Sequence, residues 1–273
     1  MDDRGVKPLF LVWGILKVMK TTLIKNRNKV ELAVIVEGEL NTAGLAFVVH
    51  GLGGFKEQIH IRTMAQGFLD KGYTVITYDA ANTIGESGGR MEDATLTNYF
   101  EDLEDVVQWA STQPWYKEPL IVSGHSLGGA CSLMFAAKYP EKVKAIAPIC
   151  PFIAGSLYEA HQDPALMKHW QEQGYILQPS QGKPGVMKKL GWGLAEDLRT
   201  HDVRTVANKI ECPVLFVAGS EDHSLPASEQ ELVREKLSGP SEIHVIQGME
   251  HNPRSEEHNQ ELRSIIESWL KSL

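Results

Sequence analysis

Six short apolar runs recur along the chain, at residues 46–50, 74–78, 120–123, 145–149, 214–218 and 243–246. Each has the length of a strand rather than a helix. Between most of them lie stretches with helical periodicity, at 57–71, 98–113, 130–138, 228–237 and 257–270. Strands that are apolar on both faces need cover on both faces. A helix between successive strands supplies that cover and returns the chain to start a parallel neighbour. The pattern therefore predicts an α/β architecture, a parallel sheet layered between helices. Upstream, residues 21–39 alternate apolar with polar around Asn26 and Asn28, which predicts an antiparallel hairpin with a polar turn.

Two segments break the rhythm. Residues 9–16 (LFLVWGIL) are the most apolar run, but eight residues cannot cross a bilayer, which needs about 20. Asp2 and Asp3 precede it and no small-residue cleavage site follows, so a secretory signal is not expected. We expect residues 1–20 to form a segment packed on the core, with a surface for homodimerisation or membrane docking as the alternative; Met19 is a second possible start. The other break is the interval 151–213, which shows no strong strand and carries Pro151, Pro164, Pro179 and Pro184 with Tyr158, Trp170, Tyr175 and Trp192. A long insertion in an α/β domain usually carries function, and a lid or binding segment over 151–208 is expected, set into a core of 21–150 and 209–273.

Lys+Arg 27 against Asp+Glu 35 gives a net charge of −8, the wrong sign for nucleic acid or an anionic membrane surface. The same field disfavours anionic substrates unless a local pocket overrides it. The three cysteines, Cys131, Cys150 and Cys212, cannot all pair and lie in apolar stretches, as expected of reduced thiols in a cytoplasmic protein.

Chemistry enters after the run 120–123, where Gly124-His125-Ser126-Leu127-Gly128-Gly129 leads directly into a helix. Gly-x-Ser-x-Gly gains meaning from that context: a serine on a tight strand-to-helix turn is held up at the carboxyl end of the sheet. A serine hydroxyl needs a base to take its proton and a third group to hold the base. Asp222 lies just past the run 214–218, on the same sheet edge; Glu221 competes, but in an extended chain its side chain points the other way. Of ten histidines, His251 follows the run 243–246 and lies 29 residues after Asp222. His223, His125 and His258 are less well placed, the first two being chain neighbours of the acid and the serine. For the oxyanion, Gly51-Leu52-Gly53-Gly54 follows the run 46–50, so the Leu52 and Leu127 amides are the candidate donors. Dinucleotide and P-loop glycine spacings are absent, as are His-Glu-x-x-His and Cys-x-x-Cys. Neither a cofactor nor a metal is expected.

These residues resemble the α/β-hydrolase superfamily: His50-Gly51-Leu52-Gly53-Gly54, Gly124-His125-Ser126-Leu127-Gly128-Gly129, Gly219-Ser220-Glu221-Asp222 and Gly248-Met249-Glu250-His251, with Tyr78-Asp79 and Gly85-Glu86-Ser87-Gly88-Gly89 similar to the family's loop after its fourth strand. The resemblance implies a mostly parallel eight-stranded sheet, helices on both faces and a lid inserted after the sixth strand. Within the superfamily the chain looks most like small carboxylesterases of the cinnamoyl/feruloyl type and serine-aminopeptidase-like hydrolases. An acyl pocket between Ser126 and the lid is implied, with Trp192, Tyr158 and His125 as candidate substrate contacts. The sequence departs from these relatives at Ala80-Ala81-Asn82-Thr83-Ile84, where they often carry Arg-Gly-His, and the lid holds no substrate motif, which leaves acyl specificity open.

The expected activity is hydrolysis of small or medium apolar or aryl carboxylic esters through an acyl-enzyme. Rivals are a peptidase, thioesterase or monoacylglycerol lipase with the same three residues, and a non-catalytic small-ligand binder.

Overall fold

The computed structural model describes residues 20–39 and 43–273, so the apolar run 9–16 lies outside the described residues. The chain opens with β1 (Lys20–Lys25) and β2 (Glu31–Glu37), paired antiparallel. Their turn is built by Asn26, whose side-chain oxygen accepts from the Asn28 and Val30 amides, while Lys29 takes a positive φ of 64°. There follow β3 (Leu45–Val49), α1 (Ile59–Leu69), β4 (Thr74–Tyr78), α2 (Leu96–Ser111), β5 (Leu120–His125), α3 (Leu127–Lys138) and β6 (Val143–Ile149). After the insertion come β9 (Val214–Gly219), α7 (Ala227–Arg234), β10 (Ser241–Ile246) and α8 (Glu256–Trp269).

The eight-stranded sheet runs β1-β2-β4-β3-β5-β6-β9-β10. β2 pairs antiparallel with β4, and every pairing from β4 to β10 is parallel. This is an α/β-hydrolase fold. Alternate residues of β3 show why both faces need cover: Phe47 and Val49 join the apolar cluster under α2 and α3, whereas Ala46 and Val48 join the cluster under α1 and α8. Ile61, Met64 and Phe68 of α1 and Leu262 and Ile266 of α8 are fully buried on that second face. Cys131 and Cys150 are buried free thiols and Cys212 is a partly buried one.

Between β6 and β9 the chain forms α4 (Gly155–Ala160), α5 (Pro164–Gln173), β7 (Tyr175–Pro179), β8 (Met187–Gly191) and α6 (Trp192–Arg199). The sequence shows no strong strand here, yet β7 and β8 pair antiparallel from Tyr175 with Gly191 to Pro179 with Met187. The signal was weak because only one face of the hairpin is buried, at Ile176 and Leu190, and the strands carry Pro, Gln and two lysines in place of a β-branched run. Trp170 anchors the insertion: it is fully buried, donates from Nε1 to the Leu190 carbonyl at 3.0 Å and stacks edge-on against Trp192.

Candidate active site

Ser126 sits between the last residue of β5 and the first of α3 at φ 57°, ψ −117°, a region that L-residues rarely occupy. The surrounding glycines make the turn possible. A Cβ on Gly124 would stand 2.2 Å from the Gly128 carbonyl oxygen, and one on Gly128 would stand 2.3 Å from that of Val49. With these contacts open to backbone only, α3 packs against β3 and β5 and holds the serine at the carboxyl ends of the parallel strands. α3 begins at Leu127, three residues earlier than its periodicity predicts, because Gly128 and Gly129 carry no periodic signal. Leu127, as the first helical residue, has an amide with no intrahelical acceptor, and the helix N-terminus adds partial positive charge there.

The second amide comes from the loop after β3. Ala80 N–H donates to His50 Nε2 at 3.0 Å, so that nitrogen is the acceptor and His50 Nδ1–H donates to the Gly51 carbonyl at 2.8 Å. Burial lowers the pKa of His50 and keeps it neutral. Tyr99 Oη and the Gly54 amide also reach the Gly51 carbonyl. In a trans peptide the N–H points opposite to the C=O, so the Leu52 amide faces away from this cluster. Gly51 lies against the nucleophile candidate, since a Cβ there would be 2.9 Å from Ser126 Cβ.

On the same edge, just past β9 and β10, His251 Nδ1 meets Asp222 Oδ2 at 2.7 Å. The other Asp222 oxygen accepts from the Ser224 and Leu225 amides, both at 3.0 Å. Burial acts to raise the Asp222 pKa, but the bond and charge of His251 with the two amides outweigh it, and the carboxyl is held below its usual value. An ionised Asp222 fixes the proton of a neutral His251 on Nδ1 and leaves Nε2 as a lone-pair acceptor. Glu221, the competing acid, is exposed beside His223. The Ser126 hydroxyl makes no hydrogen bond among the described residues; nucleophile–base bonds are commonly long without substrate.

The three candidate substrate contacts fare differently. His125 is a correction: it is buried, its Nε2 pairs with the His251 carbonyl at 2.8 Å, and its ring packs between those of His60 and His251, so it braces the histidine loop from behind. Burial, followed by the neighbouring imidazoles, pushes the His125 pKa well down, and that of His60 falls to about 3, so neither adds a proton beside His251 at neutral pH. Trp192 lines a separate cleft of about 580 Å³ with Glu92, Tyr175, Lys189 and Glu196, and none of Ser126, Asp222 or His251 lines it. Tyr158 packs near Phe152 on α4 and is half-buried. What the sequence reading missed is the turn joining β7 to β8. Gln181 accepts from Asn252, next to His251, at 3.2 Å, and Lys183 donates to the Ile84 carbonyl at 2.6 Å while lying over the Phe55 ring. The hairpin thus bridges the loop after β3 and the histidine loop.

His125, Cys150 and His251 place nitrogen and sulfur atoms within 4.8 Å of one another. Their donor chemistry does not suit a metal. His125 Nε2 and His251 Nδ1 are engaged as described, His251 Nε2 is the nitrogen left for the serine, and burial raises the Cys150 thiol pKa far above the thiolate range.

A model of the α/β-hydrolase fold matches residues 47–181. Among curated proteins, the uncharacterized protein YqkD of Bacillus subtilis (strain 168) is 26% identical over 211 residues, 76% of this chain and 65% of that one. The mitochondrial palmitoyl-protein thioesterase ABHD10 of Mus musculus is 24% identical over 176 residues, 64% of this chain and 57% of that one. The matches thus span less than two thirds of these relatives' lengths. Among solved structures, Est1E from Butyrivibrio proteoclasticus, with ferulic acid bound, superposes with a TM-score of 0.77 at 20% identity, covering 92% of this chain and 98% of that one.

Proposed function

We propose that this chain, which has the fold of the α/β-hydrolase superfamily, is a serine hydrolase of carboxylic esters with small or medium apolar or aryl acyl groups. The observation that carries the reading is the 2.7 Å bond from His251 Nδ1 to a buried Asp222, on the sheet edge where Ser126 holds its strained turn. Ser126 Oγ attacks the acyl carbon as His251 Nε2 takes its proton. Asp222 holds the tautomer and stabilises the imidazolium, and the Leu52 and Leu127 amides receive the oxyanion. The imidazolium protonates the leaving alcohol; the neutral imidazole then takes a proton from water as it attacks the acyl-enzyme, and returns that proton to Ser126 Oγ as the acid leaves. The segment 151–208 acts as the lid. Small-molecule esters are the partners in this reading.

The test is hydrolysis of p-nitrophenyl esters from acetate to laurate and of methyl ferulate, with Ser126→Ala as control and a fluorophosphonate to trap the serine. Turnover and a covalent adduct on Ser126, both lost in the variant, are expected. A Ser126→Ala protein that kept most of its activity would overturn the reading. Similarity to a thioesterase favours a second reading, thioester hydrolysis by the same residues. Acyl-thioester rates exceeding those of matched oxygen esters beyond their intrinsic reactivity would select it.

A further inference from the structure

We propose that Lys188 is a specificity residue that selects substrates carrying a carboxylate near the scissile carbonyl, an inference that rests on the serine-hydrolase reading above. Side chains alternate across β8, so Lys188 shares a face with Leu190, which is 2% exposed, while Met187 and Lys189 face outward. On that face Ile176 and Leu190 are apolar and buried, while Gln178, directly opposite Lys188, is partly buried. A lysine in this position calls for a counter-charge.

Its stem lies across Gly53, on the loop that offers the Leu52 amide. A Cβ on Gly53 would stand 2.5 Å from Lys188 Cδ and 3.5 Å from Cε. The ammonium is one bond further along, so it lies within about 5 Å of that point. Two residues back along the same loop, Gly51 abuts Ser126. The loop against which the lysine stem lies is therefore the same loop that lies against Ser126.

Among the described residues, the Lys188 ammonium meets no carboxylate, no hydrogen-bond acceptor and no aromatic face. Nearby lysines are not left so. Lys56 pairs with Asp79, Lys183 with the Ile84 carbonyl, and Lys189, its own chain neighbour, with Glu92 at 2.8 Å. Burial lowers the Lys188 pKa and no partner raises it again. A half-buried charge without a partner stabilises nothing in the fold, whereas methionine or leucine would extend the apolar face. A substrate carboxylate would complete the pair, and a local cation supplies what the chain's net charge of −8 works against.

The test compares wild type, Lys188→Met and Lys188→Arg on two matched pairs: p-nitrophenyl butyrate against p-nitrophenyl hemisuccinate, which places the anion on the acyl group, and phenyl acetate against 4-acetoxybenzoate, which places it on the leaving group. In Lys188→Met, the ratio of kcat/KM for anionic over neutral ester should fall on the order of 10- to 100-fold in one pair, mainly through KM, and Lys188→Arg should restore most of it. Lys188→Met should also melt at or above the wild-type temperature. Unchanged ratios in both pairs would overturn the proposal, as would a variant whose stability falls, which would make the lysine a structural element. Binding is read separately from turnover: glutarate, but not butyramide, should raise the wild-type melting temperature and leave that of Lys188→Met unmoved. Failure of every ester with an unlabelled Ser126 would refute the hydrolase reading, while the glutarate shift alone would then decide for or against Lys188.

Discussion

Replacing Asp222 by Asn probes the site with a change of one atom. Asp222 Oδ1 accepts from two backbone amides at 3.0 Å, and those donors cannot turn away. The asparagine must therefore direct its carbonyl oxygen to Ser224 and Leu225, which leaves its NH₂ facing His251 Nδ1 across the former 2.7 Å contact. A donor there forces Nδ1 to accept and places the imidazole proton on Nε2, so the ring loses the lone pair needed by Ser126. The imidazolium formed during attack loses its counter-charge as well. Wrong tautomer and lost charge together should lower kcat/KM by about 10⁴-fold, or about 5 kcal/mol of transition-state stabilisation. The assay is p-nitrophenyl butyrate hydrolysis alongside circular dichroism and thermal melting, with Glu221→Gln as control. Native spectra, the predicted loss in Asp222→Asn and near-wild-type rates in the control are expected. If Asp222→Asn kept a tenth of the activity, or Glu221→Gln lost as much, the assignment of the acid would be refuted.

Ser126→Gly should abolish turnover and stabilise the fold by about 1 kcal/mol, because glycine takes φ 57° without steric penalty; equilibrium denaturation measures this, and a destabilised variant would contradict the strain. Asp102 is on the buried face of α2, accepting from Asn26 and the Ala81 amide. Burial raises its pKa from 3.8 to about 6, with Asp105 and Glu101 adding to the effect and the two donors opposing it. The folded value exceeds the unfolded one, so this group's contribution to stability is full below about pH 4 and is lost as the pH rises through about 6. Between pH 5 and 7.5, Asp102→Asn should flatten the fall in unfolding free energy, on the order of 1–3 kcal/mol in wild type; equal slopes would refute the burial argument. Trp170→Ala should destabilise by about 3–5 kcal/mol, the loss for a buried aromatic, and weaken the hairpin's hold on the histidine loop; a variant of wild-type stability and esterase rate would show that this anchor is dispensable.

The parts of this chain that were legible in its sequence are those that local rules dictate. Apolar runs between amphipathic helices specified the sheet from β3 to β10, and alternation around Asn26 specified the β1–β2 hairpin. Ser126, Asp222 and His251 each follow a strand end, so one regularity, that parallel strands bring their carboxyl ends to a common edge, carried three residues from distant parts of the chain together. The same reasoning failed at His125, because adjacency to a nucleophile places a side chain near the site without saying on which side of the backbone it lies. In the strained turn Ser126 faces out, and His125 falls beneath it against the His251 carbonyl. The β7–β8 hairpin was hidden for a related reason. Its identity as strand depends on packing against the turn at Met91–Asp93 and the loop after β3, and Lys188, set among its inward positions, reads in isolation as an ordinary surface lysine. Its inward face, its contact with Gly53 and its missing partner distinguish it from Lys189, one residue away and paired with Glu92. The candidate catalytic groups are thus legible where backbone geometry dictates both residue type and place. Lys188, the residue we propose for substrate recognition, lies where the fold leaves the choice of side chain open, and there the missing partner, rather than any motif, is the signal.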